Sequence, residues 1–316
     1  MKGFKFNDRK LDGKSISICA IINVTPDSFS DGGAYNSLDK ALHRAKEFYR
    51  YGVKFFDIGG ESTRPHSNFV EIEDEIERIL PVIKNIKSEM PDAIISVDTW
   101  KSEVAKAAIG AGADIINDIT GLLGDPNMAS VISNSKAGCI LMFNPTIIRP
   151  NHKDSQKFPK FTPDTLGYEE LMSFLENELI EYRDKDILSL LDIYLDKSLE
   201  IAKDHNIEKD RIMLDPGIGF GLTYDENLKL LKNIDLIKDR GYFTFLGVSR
   251  KRFLMNIVDD LGFESDIKKA EGLNNSDLAS AILTSYATMN DVEVIRVHSL
   301  KEHLISSKII TKIKNS

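Results

Sequence analysis

Residues 18–33 read Ile18-Cys19-Ala20-Ile21-Ile22-Asn23-Val24-Thr25-Pro26-Asp27-Ser28-Phe29-Ser30-Asp31-Gly32-Gly33. The opening run is continuously apolar, as in a strand buried on both faces, and does not alternate as a half-exposed strand would. It stops at a carboxamide, Asn23. A Thr-Pro turn follows, then two carboxylates (Asp27, Asp31), hydroxyls, the ring of Phe29 and a glycine pair. A plain turn needs none of these groups, and polar loops at strand ends are where enzymes place their chemistry.

The same grammar recurs along the chain. Residues 53–58 run apolar into Asp57-Ile-Gly-Gly-Glu-Ser-Thr-Arg-Pro65, and residues 93–97 into Asp98-Thr99. Residues 115–116 lead to Asn117-Asp118, and 139–142 to Phe143-Asn-Pro145. Residues 212–214 lead to Asp215-Pro-Gly-Ile-Gly-Phe-Gly221, 243–248 to Ser249-Arg-Lys-Arg252, and 292–295 to Arg296-Val-His298. Amphipathic helical sequence separates these runs. In the first such segment Ser37 is placed to cap a helix bearing Leu38, Ala41, Leu42, Ala45 and Phe48, and Gly52 to end it. Eight such units predict an α/β fold, a (β/α)8 TIM barrel with catalytic groups on the loops after the strands. An open doubly wound sheet is the alternative; a functional group at every strand end favours the closed barrel.

A chain of 316 residues exceeds the ~250 of a usual barrel. The expected organisation is one domain over residues 1–316. Residues 1–15 form a lead-in, loops after strands one, two and five are long, and an insertion at 146–185 lies between strands five and six. The insertion reads as loop at first and as an added helix over 169–182. A net charge of −8 argues against a general nucleic-acid or anionic-membrane binder. No apolar run reaches membrane-spanning length, and the polar start lacks a signal-peptide pattern. Cys19 and Cys139, both in apolar runs, read as buried thiols in a reducing compartment. A cytoplasmic protein is expected.

Asn23, Asp57, Asp98, Asn117, Asp215, Lys251, Arg296 and His298 share one phase of the repeat and would meet at one mouth. One histidine and no cysteine do not make a structural zinc site, and Gly217-x-Gly219-x-Gly221 lacks the dinucleotide spacing. Asp98, Asn117 and Asp215 offer carboxylate and amide edges to a flat ligand rich in N–H donors, where a carboxylate forms a paired, charge-assisted bond. Lys251 would donate to such a ligand. Arg64, Arg296 and His298, with the N-terminus of the last helix, suit an anion. Asn23 is a neutral oxygen donor suited to Mg²⁺ held mostly by phosphate and water. A heterocycle pocket beside a diphosphate site implies loss of pyrophosphate. Other polar residues read as structural. Asp57 braces the mouth, Arg250 and Arg252 face outward, Arg149 and His152 lie on the surface, and Asp225-Glu226 is helix-start charge.

Asn23-Val-Thr-Pro-Asp-Ser-Phe-Ser-Asp31-Gly, Asp57-Ile-Gly-Gly-Glu-Ser-Thr-Arg-Pro65, Ser96-Val-Asp-Thr99, Asn117-Asp-Ile119, Leu214-Asp-Pro-Gly-Ile-Gly-Phe220, Ser249-Arg-Lys-Arg-Phe253 and Arg296-Val-His298 together resemble the dihydropteroate synthase family over nearly the whole chain. Met142-Phe-Asn-Pro145 and the insertion after it resemble the family's streptococcal type. The resemblance implies condensation of 6-hydroxymethyl-7,8-dihydropterin diphosphate with 4-aminobenzoate, giving 7,8-dihydropteroate and pyrophosphate, with Mg²⁺ as cofactor and a homodimer as the assembly. It implies that Asp98, Asn117, Asp215 and Lys251 hold the pterin, with Phe220 also contacting substrate. Asn23 would ligate Mg²⁺, and Arg64, Arg296 and His298 would clamp the diphosphate. Phe29, Thr63, Pro65 and Ser249 would form the aminobenzoate site, and Asp31 would orient the ring or stabilise positive charge at the reacting carbon. The implied catalytic set is Asp31, Lys251, Arg296 and His298. The sequence departs from the family at Ser299, where aspartate is frequent, at Phe143, where histidine is common, and at Asn274-Asn275-Ser276, which lacks an arginine. A corrinoid-linked pterin methyltransferase would leave the first two loops without a purpose. An inactive pterin-binding paralogue or partner subunit would find support only in the departures near Ser299 and Asn274.

Overall fold

The computed structural model describes residues 3–24, 34–62, 69–149 and 180–316. A short hairpin opens the chain, β1 (Phe4–Phe6) and β2 (Arg9–Leu11), turning through Asn7 in the left-handed region. Then come β3 (Ser17–Asn23), α1 (Ala34–Arg50), β4 (Phe55–Gly59), α2 (Ile72–Glu89), β5 (Ile94–Asp98), α3 (Ser102–Gly110), β6 (Ile115–Asp118) and α4 (Met128–Ser133). Next are β7 (Gly138–Met142), α5 (Pro145–Ile148), α6 (Ile187–Asp204), β8 (Ile212–Asp215), α7 (Tyr224–Lys232) and α8 (Asp235–Lys238). The chain closes with β9 (Phe243–Gly247), α9 (Arg252–Asp260), α10 (Ala270–Met289), β10 (Val294–Val297) and α11 (Lys301–Lys314).

Strands β3 to β10 form a closed parallel barrel in sequence order, with β10 pairing back on β3. All eight apolar runs read from the sequence are its strands. They are apolar throughout because each is covered on both faces, by helices outside and by its opposite strands inside. Ala20, Ile22, Phe56, Ile58, Ile95, Val97, Ile116, Leu141, Leu214, Leu246 and Ile295 belong to the outer core shared with the helices. Cys19, Phe55, Ile94, Ile115, Ile140, Met213, Phe245 and Val294 fill the barrel's lower interior.

The lead-in carries the β1–β2 hairpin. The Phe4 and Phe6 rings of the hairpin join that interior cluster and close the bottom of the barrel. Gly138 makes room for them, since a β-carbon there would lie 2.3 Å from the Phe4 ring. Arg9 donates to the Ala93 carbonyl, and Asn7 to Asp114, which Lys87 also pairs with. Sequence periodicity does not reveal a two-strand element only three residues deep.

Helix α1 starts at Ala34, earlier than a cap at Ser37 implies, and Gly52 follows it with φ of 86°. The expected helix at 169–182 falls outside the described residues except for Ile180–Tyr182, a single 3-10 turn. Cys19 and Cys139 are free and buried, and burial raises both thiols, Cys139 to about 12. Among the described residues no helix is long and apolar enough to cross a membrane.

Candidate functional site

Alternation along a strand decides which side chains enter the barrel. Phe55 faces inward, so Asp57 and Gly59 do too. Ile94 brings Ser96 and Asp98 with it, Ile115 brings Asn117, Met213 brings Asp215, and Val294 brings Arg296. Parallel pairing aligns Asn23 with Gly59, Gly59 with Asp98, and Asp98 with Asn117 in one row at the C-terminal rim. Gly59, lacking a side chain, leaves that row open; the site its β-carbon would take is 3.6 Å from Asp98 Cβ and 3.7 Å from Asn23 Oδ1.

An ionic network ties this row to Asp57 and Arg296. Arg296 donates through Nε to Asp57 Oδ2 and through Nη2 to Asp98 Oδ2, the latter at 2.6 Å. Asn117 Nδ2 donates to Asp57 Oδ2 at 3.1 Å. Asp57, fully buried, thus braces Arg296 and Asn117 together, as its sequence position implied. Burial raises the Asp98 carboxyl to about 7, though Arg296 beside it pulls the other way. Burial depresses the Arg296 guanidinium, but Asp57 and Asp98 outweigh it, and its affinity for the proton rises.

On the opposite wall Asp215 Oδ1 accepts the Gly217 N–H at 2.7 Å. Burial lifts this carboxyl to about 6, against that hydrogen bond and Lys251. Gly217 must be glycine: its φ is 68°, and a β-carbon would lie 1.9 Å from the Phe143 carbonyl oxygen. Lys251 Nζ donates to the Ile218 carbonyl at 2.5 Å and lies 5.1 Å from the centroid of the Phe220 ring. Burial lowers its ammonium to about 8, with Asp215 opposing. Ser249 Oγ accepts the His298 N–H at 3.1 Å, tying the ends of β9 and β10. Trp100, Ile119 and Met142, with Phe69 and Phe220 packed on them, give the mouth an apolar wall.

The structure therefore gathers Asn23, Asp98, Asn117, Asp215, Phe220, Ser249, Lys251, Arg296 and His298 at one end of the barrel. Phe29, Asp31, Thr63, Arg64 and Pro65 lie outside the described residues, as does His152. Asp118, next to Asn117, faces the outer shell and shapes the following turn by accepting from Thr120 and Leu122. Phe143 also faces away from the mouth; its ring meets Tyr194 edge-on in the outer core, so this departure alters packing and not the pocket.

Three polar residues differ from their sequence reading. Arg149 is buried, not on the surface: it forms a two-pronged pair with Glu226 at 2.7 Å and donates to the Gly221 carbonyl. Glu226 is accordingly more than helix-start charge, since it also closes a capping box with Thr223. Arg250 does not simply face outward; it pairs with Asp277. Lys101, fully buried, was not singled out by sequence. It donates to Glu75 at 2.7 Å, to Glu61 at 3.2 Å and to the Val70 carbonyl at 2.6 Å. Glu61 in turn accepts from the Val70 N–H and from Trp100 Nε1. Its partners are far apart in sequence, so no local signal marks it.

A row of carboxylates and amides, a lysine above an aromatic ring and a half-buried arginine form a mouth fit for a flat, polar heterocycle carrying an anion. Comparison with known proteins identifies the family. The family pattern described as pterin binding enzyme matches residues 19–298. The dihydropteroate synthase of Streptococcus pyogenes serotype M6 is 37% identical over 286 residues, 90% of this chain and 91% of that one. The crystal structure of the Clostridium difficile dihydropteroate synthase, determined in the presence of pteroic acid, has a TM-score of 0.76 at 33% identity, covering 97% of this chain and 100% of that one. The Xanthomonas albilineans dihydropteroate synthase with 4-aminobenzoic acid has a TM-score of 0.79 at 26% identity, covering 100% of both chains. The chain belongs to the dihydropteroate synthase family of pterin-binding enzymes.

Proposed function

We propose that the protein condenses 6-hydroxymethyl-7,8-dihydropterin diphosphate with 4-aminobenzoate, releasing pyrophosphate and forming 7,8-dihydropteroate by dissociative substitution. One observation carries this reading. Asp98, Asn117 and Asp215 converge with Lys251 over a single mouth beside Arg296, and each is held by bonds that leave further polar atoms for a ligand.

Asp215 keeps one oxygen on Gly217, so the other can accept from the amidine-like edge of a pterin. Asn117 and Asp98 read other N–H and carbonyl positions of the ring. Lys251, already poised on a carbonyl oxygen, donates to the pterin's ring nitrogen or carbonyl. Phe220 contributes an apolar face. Arg296 carries five N–H donors; those not committed to Asp57 and Asp98 can meet departing phosphate oxygens, with Arg64 and His298. Phe29, Thr63, Pro65 and Ser249 take the aminobenzoate, and Asp31 orients the ring or stabilises the cation at the reacting carbon.

Asn23 fits Mg²⁺ in a limited sense. Among the described residues no group of three His, Cys, Asp or Glu side chains could hold a metal alone. A lone neutral oxygen donor at the rim suits an ion whose other ligands are diphosphate and water. When bound, that ion offsets negative charge on the leaving group. The protein's own contribution is a cationic clamp preorganised by buried carboxylates, and exclusion of water so that the neutral arylamine captures the cation.

The assembly is a homodimer in this reading. Helices α10 and α11 pack together, yet each exposes an apolar row, Leu278, Ile282 and Met289 on one and Ile305, Ile309 and Ile313 on the other. Contiguous apolar patches of this kind mark association surfaces.

The deciding experiment measures pyrophosphate release from the pterin diphosphate with Mg²⁺, with and without 4-aminobenzoate, alongside detection of dihydropteroate. Release coupled to product is expected. Tight pterin binding without product would refute the synthase reading and leave a pterin-binding partner.

A further inference from the structure

Arg250 stands between two residues of the candidate site and points away from both. Its backbone has φ of 55°, a conformation that side chains with a β-carbon seldom adopt. Helix α10 holds it there. The Arg250 N–H donates to Ser280 Oγ at 2.8 Å, and the guanidinium donates through Nε and Nη2 to the Asp277 carboxylate at 2.8 and 3.0 Å. Ser280 is fully buried, and its hydroxyl donates to the Ser276 carbonyl at 2.6 Å, which turns an oxygen lone pair toward Arg250.

A surface ion pair needs neither a strained backbone nor a buried acceptor for the backbone N–H. The consequences lie on either side of the residue. Ser249 turns its hydroxyl to the His298 N–H, and Lys251 reaches across to the Ile218 carbonyl beside Phe220. The neighbouring strand end has its own brace, since Arg44 of α1 donates to the His298 carbonyl.

We infer that Asp277, Ser280 and Arg250 form a positioning device that sets Lys251 for its pterin contact from outside the pocket, so that α10 tunes pterin binding without touching the ligand. This rests on the reading of Lys251 as a pterin contact.

The test is a double-mutant cycle on the full chain, read as the dissociation constant of 6-hydroxymethylpterin by fluorescence titration, with thermal melting alongside. Asp277→Asn keeps the side chain's size and removes its charge. It is expected to weaken pterin binding about tenfold, within the range of coupling among residues of one hydrogen-bond network. In a Lys251→Ala background the same substitution is expected to add nothing, because its effect passes through Lys251. Arg250→Gly, which adopts the backbone angle without strain, is the second variant, and it should show the same loss and the same coupling. Equal loss with and without Lys251, or unchanged binding in Asp277→Asn and Arg250→Gly, overturns the inference alone. Unchanged binding in Lys251→Ala itself sinks the pterin reading of Lys251 and this inference with it.

Discussion

Asp215→Asn removes one charge and one acceptor from the mouth while keeping the side chain's size. Asp215 Oδ1 already accepts the Gly217 N–H. The asparagine oxygen must take over that bond, because the amide nitrogen has no lone pair to offer it. The nitrogen then faces the ligand, and donor meets donor where a carboxylate would meet an amidine-like edge. Breaking a buried, hydrogen-bonded charge pair from one side costs roughly 2–4 kcal/mol, which is roughly thirty- to a thousandfold in pterin dissociation constant. Stability should move the other way. The folded carboxyl is raised from 3.8 to about 6, so its contribution is fully present below the unfolded value and is lost as pH rises from about 4 to about 6. At neutral pH the buried charge opposes folding by roughly 3 kcal/mol, and asparagine removes that opposition. Isothermal titration with 6-hydroxymethylpterin and thermal melting at pH 7 check the two halves together. Tighter folding with much weaker binding is expected. Binding within about threefold of the parent, well short of the loss a charged contact implies, refutes the pocket assignment. A lower melting temperature refutes the claim that this carboxylate is kept at the expense of stability.

Lys251→Ala should lower turnover without unfolding the barrel, and a large drop in melting temperature with normal specific activity would make the lysine structural. Lys101→Met strands Glu61 and Glu75 in a buried site and should cost about 3–5 kcal/mol. Adding Glu75→Gln should restore part of that loss in a urea titration, and no restoration would show that the loss has another source than the unpaired carboxylate. Ile282→Asp puts a charge in the exposed apolar row of α10 and should yield monomers in light scattering; an unchanged dimer moves the interface elsewhere.

The barrel was legible because its strands are buried twice over, so eight continuous apolar runs stand out from amphipathic helical sequence. The mouth was legible because strand geometry fixes phase: a polar residue ending an apolar run on the inward face has nowhere else to go. Asp98, Asn117, Asp215 and Arg296 follow that logic, and the structure puts them together. What escaped depends on partners far away in the chain. Lys101 is separated from Glu61 by 40 positions and Arg149 from Glu226 by 77. Alone, each looks like a solvated charge. The hairpin escaped for another reason, since three residues per strand are too few for a period to register.

These two kinds of residue divide the work between ligand and scaffold. The legible carboxylates are costly to bury, and that burial is why Asp98 and Asp215 hold protons more tightly than ordinary carboxyls. Groups in that condition gain most from a ligand that supplies donors. The illegible set is paired within the chain. Lys101 meets two carboxylates and a carbonyl, Arg149 a carboxylate and a carbonyl, and Arg250 a carboxylate and a hydroxyl. Each is attached to a segment that ends at the mouth: Lys101 follows β5, Arg149 holds the glycine turn after β8, and Arg250 sits between Ser249 and Lys251. A barrel fixes only where its strands end. The direction of each loop is set one residue at a time by such internal ion pairs, so pocket residues define what can bind, while these internally paired cations define how closely the site is held to that shape.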